Sequence, residues 1–315
     1  MKIVVTDGYT LNPGDISWHA VQALGDLTVY DRTPAELIVE RCTGAGIVLS
    51  NKVPFSRRTL EQLPGLKMIT VLATGYNVID TKAAAEQGIV VCNAPAYGTA
   101  SVAQHTFALL LELVNHTGMH AASVAAGEWQ SAADWCYGKL PIAELAGKTM
   151  GIVGYGNIGR RVAAIAEAFG MKLLFNSRTK RADTSAVYCD LETLFEKSDV
   201  VSLHCPLTEA NTGFVNTAML QRMKPSALLI NTARGQLINE PDLADALNSK
   251  VIAGAGLDVL SKEPPLPANP LLTAANCIIT PHQAWMTKEA RARVMGITAD
   301  NIKAFLAERP VNRVN

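Results

Sequence analysis

Three reactive side chains stand just past apolar runs that end in polar turns. Arg234 follows Ala227-Leu228-Leu229-Ile230-Asn231-Thr232, Glu263 lies five residues beyond Asp258 at the close of another run, and His282 follows Ile278-Ile279-Thr280-Pro281. Arginine offers a rigid bidentate fork to a carboxylate, histidine titrates near neutral pH, and a glutamate beside it can partner its charged ring. That set suits the reduction of a carbonyl next to a carboxylate, in which the cation fixes the acid and polarises the ketone while the imidazole supplies the proton. His204 also ends an apolar run and is the rival base. His19, His105, His116 and His120 sit in helical patterns and read as surface or satisfied core residues. A strand, proline and histidine in succession favour His282, because ligands of open α/β sheets bind outside the carboxyl ends of the strands.

The hydride source is indicated elsewhere. Gly154-Tyr155-Gly156-Asn157-Ile158-Gly159 follows an apolar strand and opens a helix with apolar residues at Ile158, Val162, Ile165, Ala166 and Phe169. In that setting Gly154 makes the tight turn, Gly156 lets backbone approach a pyrophosphate, and Gly159 lets helix pack on strand. The helix N-terminus adds unpaired N–H groups and a positive dipole end. The next strand should end in Asp or Glu if the adenine ribose carries a free 2′-hydroxyl. It continues instead as Asn176-Ser177-Arg178-Thr179-Lys180-Arg181, in which Ser177 can hydrogen-bond a 2′-phosphate and Arg178 can pair with it. The expected cofactor is therefore NADP(H), with NAD(H) as the alternative.

These residues need a scaffold that repeats strand and helix. Strand-type runs at 2–6, 27–30, 46–50, 67–71 and 88–92 alternate with helical patterns near 15–24, 34–42, 56–63 and 80–87, where Asp80 is a natural N-cap. Such alternation implies parallel strands joined by right-handed crossovers. After an apolar stretch over 101–126, expected as one long helix broad enough to bury itself against a second subunit, the alternation resumes. Strands are expected at 149–153, 171–175, 199–204, 227–232, 251–259 and 277–280, with helices at 158–169, 191–197, 217–223 and 241–248. A last helix over 288–308 should return to the first unit.

Composition agrees with two compact cores. The 315 residues are about two domains' worth, 49% are hydrophobic and 18% charged, and 28 basic against 28 acidic residues give no net charge. That balance argues against a nucleic-acid partner and for a small molecule. The opening Met1-Lys2-Ile3-Val4-Val5-Thr6-Asp7-Gly8 is not a signal peptide, and the apolar stretch 106–114 is too short for a membrane span. Six cysteines, Cys42, Cys92, Cys136, Cys189, Cys205 and Cys277, stand singly and outside any zinc-type spacing. They read as reduced, mostly buried thiols of a cytoplasmic protein without a metal site.

Several blocks together carry a family resemblance. Gly154 to Gly159, His204-Cys205-Pro206-Leu207-Thr208, Asn231-Thr232-Ala233-Arg234-Gly235, Gly256-Leu257-Asp258-Val259, Glu263-Pro264-Pro265 and Thr280-Pro281-His282 resemble, in order and over nearly the whole chain, the signatures of the D-isomer-specific 2-hydroxyacid dehydrogenases. Leu72-Ala73-Thr74-Gly75-Tyr76-Asn77, Ala94-Pro95-Ala96-Tyr97-Gly98 and Trp285 are most similar to its glycerate dehydrogenase and hydroxypyruvate reductase branch. The resemblance implies an α/β fold of two doubly wound parallel-sheet domains. A Rossmann cofactor domain at 99–285, including a dimerisation helix, would be inserted in a flavodoxin-like substrate domain at 1–98 and 286–315.

It further implies Arg234 as substrate-binding and polarising residue, His282 as general acid/base and Glu263 as its partner. Backbone amides of Thr74 and Gly75 would hold the substrate carboxylate, Trp285 would line the pocket, and Asp258 would contact the nicotinamide amide. Cys205, Pro206, Thr232 and Ala233 would join the glycine turn, Asn176, Ser177 and Arg178 around the cofactor. A homodimer would form through 101–126 and the segment after it, which puts Trp135 where a tryptophan reaches the partner's active site in some relatives. The sequence departs at Gln283, where many members carry an apolar or small residue; this bears on the pocket and substrate rather than on the chemistry. The expected reaction is hydride transfer from NADPH to a short 2-keto acid, hydroxypyruvate first and glyoxylate second. Two rivals are the same fold with a different small acid and a nicotinamide-sensing regulator. Regulators of that kind usually carry extensions, which the reading of this chain as beginning at its first strand and stopping just after its last helix speaks against.

Overall fold

The structure is a computed structural model that describes residues 1–180 and 184–315. It divides into two compact units, 1–98 with 285–315, and 99–284. In the first, β1 (Lys2–Val5), α1 (His19–Gln22), β2 (Asp26–Val29), α2 (Ile38–Cys42), β3 (Ile47–Ser50), α3 (Arg57–Glu61), β4 (Met68–Val71), α4 (Thr81–Glu86) and β5 (Val90–Cys92) follow in turn. Among the described residues its strands form one parallel sheet of order β2-β1-β3-β4-β5, the flavodoxin-like doubly wound order.

Successive strand residues point to opposite faces, and each face has its own core. Val4, Val48, Ile69 and Val91 pack with Leu60, Ala83 and Ala84 on one side. Ile3, Ile47, Leu49 and Met68 pack on the other with Val294, Met295 and Ile302 of the C-terminal helix. A sheet covered on both faces has no use for polar alternation, which is why its strands read as apolar runs. Side chains fix the helix starts: Ser56 caps α3, and Asp80 caps α4 by accepting from Ala83 N at 2.9 Å.

The second unit holds α5 (Thr99–Asn115), α6 (Thr117–Ala125), β6 (Thr149–Val153), α7 (Asn157–Ala168), β7 (Lys172–Asn176), β8 (Val187–Tyr188), α8 (Leu191–Lys197), β9 (Val200–Leu203), α9 (Thr217–Leu220), β10 (Leu228–Asn231), α10 (Glu240–Asn248), β11 (Gly254–Leu257) and β12 (Cys277–Ile279). Its parallel sheet runs β12-β11-β10-β9-β6-β7-β8, which reverses direction at the β6/β9 boundary as a Rossmann sheet does. Val153, Val201, Leu229 and Leu257 face α8 and α10, whereas Ile152, Val200 and Ile230 face α5 and α7. The last helix, α11 (Lys288–Leu306), starts at a Thr287 cap and belongs to the first unit.

Several expectations are corrected. The helix expected over 101–126 is two helices, because His116 takes a left-handed backbone at φ +50° and Glu112 accepts from Gly118 N, starting α6 afresh. The apolar surface of α5 is largely consumed within its own unit, where Phe107, Leu109, Leu110 and Leu113 are buried. The exposed apolar side chains come after it, at Met119, Val124, Trp129, Trp135, Leu140 and Ile142. The strand expected over 251–259 is confined to Gly254–Leu257, and the short edge strand Val187–Tyr188 was not foreseen. The thiols are not mostly buried: Cys42 and Cys92 are, Cys189, Cys205 and Cys277 are half-buried, and Cys136 is exposed. No helix among the described residues is long and apolar enough to cross a membrane.

Candidate active site

The glycine turn lies at the sheet's point of reversal. Gly154 has φ +95°, and a Cβ there would lie 2.4 Å from the Cys205 nitrogen; one on Gly159 would lie 2.2 Å from the Gly154 oxygen. The chain's own backbone thus demands both glycines. Gly156 is different, since a Cβ there would meet nothing within 4 Å, and it precedes α7 without a side-chain cap. The second glycine therefore borders open space at a helix N-terminus whose N–H groups lack intrahelical partners. A pyrophosphate fits this cradle in both shape and charge.

Tyr155 is buried, its ring 4.3 Å from Phe175 and its hydroxyl bonded to Thr184, so it meets a ligand through backbone only. Asn157 is engaged with Arg160, and Ile158 packs beneath the helix. Past β7, Asn176 turns its amide inward to Cys189 O at 2.8 Å and Ser177 donates to Thr179 O at 2.5 Å, while Arg178 is exposed. Arg181, the end of that basic run, lies outside the described residues. Beside the run a cavity of about 580 Å3 is lined by Asn176, Tyr188, Asp190, Leu191, Thr193 and Glu196, among others. Cys205 and Pro206 follow β9, and burial pushes the Cys205 thiol up.

The remaining groups emerge from the carboxyl ends of three adjacent strands, β10, β11 and β12, whose last residues Asn231, Leu257 and Ile279 are in register. Asn231 shapes the first turn by accepting from Ala233 N and donating to Arg234 O. Thr232 is buried with its hydroxyl on Thr106, and Arg234 is exposed, with Nη1 donating to Ala233 O at 2.6 Å. A Cβ on Gly235 would sit 1.9 Å from the Leu260 carbonyl carbon, so this turn abuts the one that carries Glu263.

Glu263 accepts from Leu260 N at 3.0 Å through Oε1, and its Oε2 lies 2.6 Å from His282 Nδ1. Both side chains are about one-third exposed, 34% for Glu263 and 30% for His282. With Nδ1 turned to the carboxylate, Nε2 is the nitrogen left to face a substrate. His204 is placed differently: Nε2 bonds Ser202, Nδ1 is buried without a partner, and burial pushes its pKa down to about 3. With Nε2 on Ser202 and Nδ1 buried, neither nitrogen is open to a substrate, and burial disfavours the imidazolium that a proton donor in reduction must be.

Asp258, 1% exposed, organises the β12 loop. Its Oδ1 accepts from Thr280 Oγ1 and Gln283 N, its Oδ2 from Ala284 N, and its backbone oxygen from His282 N. Burial pushes this carboxyl up, but bonds from His105, Thr280, Ala284 and Gln283 more than offset it and hold the carboxyl below the usual carboxylate range. His105, read from sequence as an ordinary helical histidine, was therefore missed, as was Ser101, which bonds Ala284 O. The available signal was a pair of polar residues one turn apart on the most apolar helix.

Thr74, Gly75 and Trp285 belong to the other unit. Thr74 and Gly75 follow β4 in a loop pinned by Thr74 Oγ1 to Ala94 O and by Asn93 Nδ2 to Thr74 O. Trp285 meets Tyr97 edge to face at 6.3 Å. Among the described residues no group of His, Cys, Asp or Glu converges as metal ligands would.

With this geometry in view, comparison with known proteins is specific. Residues 107–284 match the family profile described as D-isomer specific 2-hydroxyacid dehydrogenase, NAD binding domain. A hydroxypyruvate reductase of Blautia hydrogenotrophica is 49% identical, covering 100% of both chains. A glycerate dehydrogenase of Methylorubrum extorquens is 44% identical over 90% of this chain and 89% of its own. An acyclic imino acid reductase solved with NADPH and D-Arg superposes with a TM-score of 0.88 at 32% identity, covering 100% of both chains.

Proposed function

We propose the following reaction from one premise: the chain belongs to the D-isomer-specific 2-hydroxyacid dehydrogenase family. It is an oxidoreductase that moves a hydride between a nicotinamide cofactor and a short 2-keto or 2-hydroxy acid, with hydroxypyruvate and D-glycerate as the favoured pair and glyoxylate as a second substrate. The observation that carries the reading is the His282 Nδ1 to Glu263 Oε2 contact of 2.6 Å at the carboxyl edge of a sheet that also bears the glycine cradle.

The cofactor, when bound, supplies the hydride. Gly154 to Gly159 and the N-terminus of α7 would hold its pyrophosphate, with Cys205, Pro206, Thr232, Ala233 and Asp258 along the strand ends. Arg234 binds the substrate carboxylate and polarises the ketone. His282 gives the proton at Nε2 to the carbonyl oxygen while its Nδ1–H stays hydrogen-bonded to the Glu263 carboxylate, which keeps the ring oriented. In the oxidative direction neutral His282 takes that proton back.

NADP(H) is preferred to NAD(H) in this reading, because Asn176 stands where a ribose-binding acid would repel a 2′-phosphate and Arg178 is exposed beside it. The exposed apolar side chains from Met119 to Ile142 support a homodimer. The test is purified protein with NADPH against a panel of 2-keto acids, followed by absorbance loss. Fastest turnover with hydroxypyruvate supports the assignment, and no turnover with any 2-keto acid overturns it.

A further inference from the structure

We propose that His105 is a positioning residue for His282, acting through Thr280 and Asp258. The proposal rests on the reading of His282 as the acid/base. His282 has φ +53°, a left-handed backbone that a residue with a Cβ adopts only where its surroundings impose it. The imposition comes from Asp258. Its backbone oxygen takes His282 N at 2.8 Å, and its carboxylate takes Gln283 N and Ala284 N at 2.9 Å each and Thr280 Oγ1 at 2.6 Å. A carboxylate with this many duties must itself be held at one rotation.

The α5 helix supplies the hold. Thr280 has a single hydroxyl proton, and it goes to Asp258, so its oxygen can only accept from His105 Nε2 at 2.9 Å. That assigns the His105 proton to Nε2. The same nitrogen lies 3.4 Å from Asp258 Oδ1, with the His105 side chain 16% exposed. Without this donor, the Thr280 oxygen loses the hydrogen bond that His105 gives it, and Asp258 loses a bond that helps hold its carboxyl down. One turn earlier, Ser101 donates to Ala284 O. Ser101 and His105, spaced i and i+4 on one helix face, thus grip both ends of the five-residue segment that has His282 at its centre.

Four variants test this: His105→Leu removes the donor, His105→Gln keeps an N–H donor, Thr280→Val cuts the relay, and His105→Leu/Thr280→Val does both. The cofactor-free protein is read by proton NMR, in which the short His282 to Glu263 bond gives a far-downfield resonance, assigned by its absence in His282→Gln. The holoenzyme is read by kcat and KM for hydroxypyruvate reduction. His105→Leu and Thr280→Val should each lose the resonance and about 10- to 100-fold in kcat, with KM within about threefold, as expected when a reacting group is misplaced rather than removed. The double variant should be no worse than either single one, and His105→Gln should recover both signals. Should His105→Leu fail to fold, Thr280→Val and His105→Gln decide alone.

The proposal is overturned by retention of resonance and kcat in Thr280→Val or His105→Leu, by losses that multiply in the double variant, or by His105→Gln as impaired as His105→Leu. If the wild type reduces no 2-keto acid, the functional reading fails, and the cofactor-free resonance still judges the positioning.

Discussion

His282 Nδ1 and Glu263 Oε2 lie 2.6 Å apart, while Glu263 Oε1 is tied to Leu260 N at 3.0 Å. One carboxylate therefore anchors its own turn with one oxygen and orients the imidazole with the other. Replacing Glu263 by Gln keeps a carbonyl oxygen for Leu260 but removes the charge. Reductive kcat should fall by about 10- to 100-fold with KM little changed, measured by stopped-flow with saturating NADPH. Unchanged kcat would reduce Glu263 to an ordinary loop carboxylate.

His204, whose Nδ1 is buried, should act on stability and not on chemistry. Its pKa is depressed from 6.5 to about 3 in the folded chain, so between those values the unfolded chain binds a proton that the folded chain refuses. Stability should fall as pH drops through that window. Urea unfolding at pH 7.5 and 4.5 should show a smaller difference for His204→Gln than for the wild type. An equal difference in both proteins contradicts the assignment.

Substitution within the glycine turn should separate folding from binding. Gly159→Ala, whose Cβ would lie 2.2 Å from a backbone oxygen, should lower Tm markedly, whereas Gly156→Ala, with nothing within 4 Å, should melt like the wild type. Gly156→Ala should nevertheless weaken NADPH by at least about tenfold, measured by fluorescence titration, since its new methyl group enters the cradle. Full NADPH affinity in Gly156→Ala would remove the cradle from the cofactor site.

Cofactor choice should respond to Ser177. Ser177→Asp places a negative charge against the proposed 2′-phosphate and should raise KM for NADPH by about tenfold or more while leaving NADH less affected. Equal loss with both cofactors, or a wild type that prefers NADH, points to a different discriminating residue.

Assembly is tested by mass. Trp135 at 86% and Ile142 at 62% exposure head an apolar surface that water covers at a cost, so sedimentation at micromolar concentration should give twice the 33.6 kDa of one chain. A species of 33.6 kDa is the contrary result.

Much of the fold was legible in the amino-acid order. Apolar runs such as Ile47-Val48-Leu49 announce strands buried on both faces, and Gly154, Gly156 and Gly159 announce a strand-to-helix turn, because local backbone limits and periodicity depend on neighbours in the chain. The residue types at the strand ends were legible for the same reason. Tertiary structure alone decided the depressed pKa of His204 and the left-handed turn at His282, since each depends on groups that the chain brings from further away. His105 shows this most clearly: its partner Thr280 is 175 residues distant. A histidine in a helical pattern looks the same in sequence whether it faces water or a buried carboxylate. Only the packing of α5 on the ends of β11 and β12 gives it a task.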